Sequence, residues 1–176
     1  MMASLLEPSD LLQAIAGRSV IALPLAEWAR ELGDLYAELI PSRIDQKFQP
    51  KRFDGEQLRS EIDRVVSEID EWAAQNIPRM KSARKHTHSL GEVISHVARS
   101  YAQAWWTVVH SADTEIWHQA WFHLGEAREG YAEFLSALRA RNLQLPMGWR
   151  WHLERRAIDT GRGPSINPGC VESDKR

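Results

Sequence analysis

A chain of 176 residues is enough for one domain of ordinary size, with a core that needs neither disulfides nor metal. Hydrophobic residues at 43% and charged residues at 26% exclude wholesale disorder, and a formal net charge of -2 excludes global attraction to nucleic acid or anionic membrane. The single cysteine, Cys170, excludes an internal disulfide and suits a reducing compartment.

Glu7 and Asp10 interrupt the apolar patches at the N-terminus and no basic stretch precedes them, so a secretory leader is not expected. The longest apolar run, Val20 to Ala26, is far below the ~18 residues that span a bilayer. The expectation is a cytoplasmic protein with no membrane association. Eight tryptophans stand out, because each combines a large apolar area with an N–H that needs a partner, and some should lie at interfaces.

In chain order, Asp10 and Gln13 form a capping pair before Leu11, Leu12 and Ile15, and Gly17 can close this short helix in a left-handed conformation. Pro24 suits the first turn of a second helix, in which Leu25, Trp28, Leu32, Leu35 and Leu39 recur at helical spacing until Pro41 ends it. Residues Pro41 to Phe53 read as a connection. Asp54 and Gln57 then match a capping box, with Phe53 and Leu58 placed as a hydrophobic staple. The third helix carries Leu58, Ile62, Val65, Ile69 and Trp72, widened by Val66, and stops near Asn76 and Pro78.

Ser89 and Glu92 form a second capping box. The fourth helix has a core stripe of Leu90, Val93, Ile94, Val97, Tyr101, Ala104, Trp105 and Val108. Asp113 caps a fifth helix, lined by Trp117, Ala120, Trp121, Leu124, Tyr131, Leu135 and Leu138 and running to about Asn142. Gly125 and Gly130 each cost about 1 kcal/mol in a helix interior, which suggests close approach of another backbone or a bend. No strand signal or internal repeat competes. From Leu145 the helical pattern fails, and the last residues are too rich in Gly, Pro and Ser to fold alone.

The segments HTHSLGEVISHVARSYAQAW and AWFHLGEAREGYAEFL, with Leu145-Pro146 after them, resemble an uncharacterised bacterial family of all-helical domains known only as a domain of unknown function. That resemblance implies a fold and no activity. SLGEVISHVA is also similar, more faintly, to a helix of DinB-like metal-binding bundles, which would make His96 a ligand. Those bundles carry a later HxxxH pair, whereas His118 and His123 here are five apart.

Four groups of residues invite a functional reading. Glu92 and His96, four apart, have the spacing of two metal ligands or an acid/base pair, but Glu92 is engaged in the cap, and with Arg99 and Gln103 both lie off the apolar stripe. Glu115-x-x-His118 and His123-x-x-Glu126 mimic di-iron spacing, yet both glutamates face away from the core stripe. The acid-free run with Arg79, Lys81, Arg84, Lys85, His86 and His88 enters a helix N-terminus, where free N–H groups can hold an anion such as a nucleic-acid phosphate; Glu92 opposes this. Trp106 and Phe122 point away from the core stripes of neighbouring helices, which suggests a contact surface unless the N-terminal helix covers them.

In the tail, Trp149, Arg150, Trp151, His152, Arg155 and Arg156 interleave aromatic and basic residues as a base-stacking or partner-clamping segment would, with docking on the bundle as the simpler account.

The sequence therefore predicts an all-α fold: an antiparallel four-helix bundle over about residues 24–40, 54–76, 89–110 and 113–141, with a short extra N-terminal helix and an irregular C-terminal tail. The bundle domain is 1–146, and 147–176 is a partly disordered extension. The expected function is a non-enzymatic, cofactor-free binding or assembly module that self-associates through Trp106, Phe122 or the heptad-like second and third helices. The alternatives are a DinB-like enzyme holding a divalent metal at His96, and an anion or nucleic-acid binder using Arg84, Lys85, His86 and His88.

Overall fold

The computed structural model describes residues 4–44 and 54–146. The expected connection, the staple residue Phe53 and the aromatic-basic tail lie wholly or mainly outside them. Among the described residues there are five helices, α1 (Pro8–Ile15), α2 (Pro24–Ile44), α3 (Gly55–Asn76), α4 (Leu90–His110) and α5 (Thr114–Arg139). Two two-residue strands join them, β1 (Arg84–Lys85) and β2 (Leu143–Gln144). The fold is all-α apart from this strand pair.

Local chemistry sets most boundaries. The capping boxes at Asp54/Gln57 and Ser89/Glu92 both form, each side chain meeting the other residue's backbone N–H. Asp113 caps α5 by accepting from Glu115 N. Two helices end in the paired hydrogen bonds of a left-handed stop. Gly17 (φ 70°) closes α1, with Arg18 N donating to Gln13 O and Gly17 N to Ala14 O. Arg141 (φ 57°) closes α5, with Asn142 N donating to Ala137 O and Arg141 N to Leu138 O. The fifth helix thus stops at Arg139, short of the expected Asn142.

Three expectations need correction. α1 starts at Pro8, not after Asp10, because proline pre-sets the helical φ at the first position and has no N–H to satisfy; Glu7 is the extended N-cap and caps nothing with its side chain. Pro41 does not end α2. It removes one N–H from the last turn, while burial of Leu39 and Ile40 keeps the helix going and Ser42 Oγ donates to the Leu39 carbonyl at 2.8 Å. The strand pair went unpredicted, since two residues carry no alternation to read.

Helix order in space follows from specific contacts. Trp28 Nε1 donates to Glu68 at 2.9 Å and Arg64 pairs with Glu31, so α2 and α3 are antiparallel. Gly91 sits against Val66 and Tyr36 OH meets Ser95 Oγ at 2.8 Å, which sets α4 alongside both. α4 is the central element, packed on α1, α2, α3 and α5, with α3 and α5 on different sides of it. The main core holds Leu32, Val65, Ile69, Ile94, Val97, Tyr131 and Leu135. Tyr131 OH donates to Leu6 O at 2.7 Å and Arg139 pairs with Glu7, fastening the N-terminal segment to the late turns of α5.

β1 and β2 are parallel, Arg84 opposite Leu143 and Lys85 opposite Gln144, and His86 N donates to Gln144 O at 2.9 Å. The pair closes the base of the α4–α5 hairpin.

Candidate functional site

The N-terminus of α4 is a filled site. Gly91 N donates to Asp70 Oδ1 at 2.8 Å, Ser89 N to Glu92 at 2.7 Å, and Glu92 N to Ser89 Oγ at 3.2 Å. The amides that an anion would use are held by two carboxylates and a hydroxyl. Burial raises the Asp70 carboxyl above its usual range, opposed by its hydrogen bonds to Ser89 and Gly91, with Glu92 adding to the rise. Asp70 is the residue that sequence reasoning missed, since nothing in α3 marks it apart from other exposed-face acids. Gly91 was the available signal: a glycine in the first turn, whose absent Cβ would lie 2.4 Å from Val66 O.

The basic lead-in is distributed around this filled end. Arg79, Lys81, Arg84, Lys85 and His88 are exposed. His86 is half-buried, its ring edge-on to Phe134 with centroids 5.0 Å apart and its Nδ1 accepting from His88 N at 3.1 Å. The structure brings His86 and His88 together and builds them into the turn before α4. Glu92, His96, Arg99 and Gln103 are all exposed, as the helical wheel requires. Among the described residues no group of three or more His, Cys, Asp or Glu side chains is placed to hold a metal ion, at His96 or elsewhere. His118 and His123 are exposed, and His123 Nδ1 lies 3.1 Å from Glu126.

The two hairpin helices differ from the rest at their far end. Core residues on α4 stop at Ala98 and on α5 begin at Ala127, so roughly 18 Å of α4 extends past the main core. Buried residues there are Ser100, Ala102, Ala104 and Leu124, mostly small. Of the seven large hydrophobic residues exposed in the described parts, five cluster here: Trp105, Val109, Ile116, Trp121 and Phe122, with Phe122 at 64%.

This corrects the stripe assignment. Trp105 (52% exposed) and Trp121 (46%) carry the core periodicity, but the periodicity continues past the point where the core ends. Trp106 is half-buried, stacked on His110 with ring centroids 3.5 Å apart. Gly125 and Gly130 mark neither a close approach nor a clash site, because an added Cβ at either meets nothing within 4 Å.

One other expectation is settled by position. α1 sits by Tyr131, Arg139 and Gly33, at the other end of the hairpin from Trp106 and Phe122, and is not their cover. The stripes of α2 and α3 pack in the core, where Leu25, Leu32, Leu39, Ile62, Val65 and Ile69 are all buried. No described helix is long and apolar enough to cross a membrane. No family model, no curated protein and no solved structure matches the chain.

Proposed function

We propose that this chain is a non-enzymatic assembly module, in which the four long helices act as an antiparallel bundle and the tip of the α4–α5 hairpin joins one copy to another. The observation that carries this reading is the cluster of Trp105, Val109, Ile116, Trp121 and Phe122, all large, apolar and exposed on adjoining turns of two helices. Large apolar exposure concentrated at one end of a molecule, and rich in aromatics, is the usual composition of a contact region. Trp106, half-buried and stacked on His110, lies on the same turn of α4 as Trp105.

Light scattering or sedimentation tests it. The wild-type chain should run above monomer mass, and Trp121→Glu with Phe122→Ser should return it to monomer with its helical circular dichroism intact. A wild-type chain that remains monomeric at the highest attainable concentration overturns the proposal. The metal and anion readings have no comparable support: His96 has no converging ligands in the described residues, and the α4 amides are already occupied.

A further inference from the structure

A second surface lies at the opposite end of the molecule and does not depend on the assembly reading. Where α3 ends and the chain leaves β2, a groove of about 490 Å3 opens between the two. Its apolar wall is Ala74, Ile77, Leu90, Leu145 and Pro146, and Asp70 and Glu71 stand along one side. Ile77, Leu145 and Pro146 are only half-buried, so the apolar wall is left partly open. Such a volume is within the ~300–1,000 Å3 of sites that enclose a compact apolar group.

What lies next in the chain suits it. Pro146 is itself part of the groove wall, Trp149 follows within up to about 10 Å of extended chain, and Trp151 within about 17 Å. The same stretch carries Arg150, Arg155 and Arg156 against the single acid Glu154, while the groove carries Asp70 and Glu71 against Arg79. A segment tethered at the mouth of a groove has an effective concentration in the millimolar range, which no free ligand or second copy matches at ordinary protein concentration.

We propose that residues 147–156 fold back on this groove, with Trp149 and Trp151 seated against Ile77, Leu145 and Pro146 and the arginines beside Asp70 and Glu71. The docked segment is a latch from the exit of α5 to the end of α3, two elements on different sides of α4.

Disulfide trapping in the full chain tests this, in a Cys170→Ser background. The pair Glu71→Cys and Arg150→Cys should close an intramolecular disulfide roughly tenfold or more faster than the same pair in a chain that also carries Trp149→Ala and Trp151→Ala, since the tether is identical in both. Equal rates with and without the tryptophans overturn the proposal, because the tether alone would then account for closure. So does a disulfide that links two chains, which would give the groove to a second copy.

Discussion

Gly91 and Asp70 are the residues on which the α3–α4 junction turns. A methyl group at Gly91 would press on the Val66 carbonyl oxygen at 2.4 Å and on Asp70 Oδ1 at 2.9 Å, so Gly91→Ala should destabilise the fold by about 1–3 kcal/mol, as overpacking does. Gly125→Ala, in open space on an exposed helical turn, should instead stabilise by about 0.5–1 kcal/mol. Denaturant midpoints that move in the same direction for both would refute this account of the glycines. Asp70 gives a pH signature. Its carboxyl is raised by burial above its ordinary value of 3.8, so its favourable contribution is complete below that pH and is lost as pH rises through the raised value. Asp70→Asn does not titrate and keeps an oxygen for the Gly91 N–H. Relative to wild type it should gain stability as pH rises from the ordinary carboxyl value through the raised one and then level off, measured by urea unfolding, and a relative loss over that rise would show the carboxylate to be net stabilising.

Between elements, the α2–α3 contact is held on its solvent side by Arg64, which reaches Glu61 at 2.8 Å, Glu68 at 2.6 Å and also Glu31 on α2. The hydrogen bonds it donates to Glu61 and Glu68 hold its guanidinium above the usual arginine range. Its side chain is 39% exposed, so solvent screening limits the value of the network, and Arg64→Met should cost about 1 kcal/mol in dilute buffer and less in 1 M salt. A salt-independent loss would mean that packing of the arginine stem is what matters. The elements themselves were largely legible beforehand. Both capping boxes, the stripes of α2 and α3 and the Gly17 stop follow from local rules acting on a few adjacent residues. The ends of α2 and α5 did not, because one rests on the burial of Leu39 and Ile40 and the other on Arg141 accepting a left-handed φ that glycine usually supplies.

Over the whole molecule, helical periodicity predicts which face a residue occupies and not whether another element reaches it. Trp105 and Trp121 sit on the correct faces and remain exposed because the core stops short of them. Likewise Gly91 was visible as a residue, whereas its neighbour Asp70 comes from another helix and only the packing unites them. Exposure was therefore legible only in part: Phe122 lies off the stripe and is exposed, whereas Trp105 and Trp121 lie on the stripe and are exposed as well. The strand pair carries a mechanical consequence. Its four residues clasp the hairpin at its root, so a pull on Trp121 or Phe122 is borne by two long stiff rods whose feet are tied together. The tip is thereby a cantilever, rooted where Ile94, Val97, Tyr131 and Leu135 pack in the core, with the clasp of Arg84 and Leu143 tying its feet behind that root.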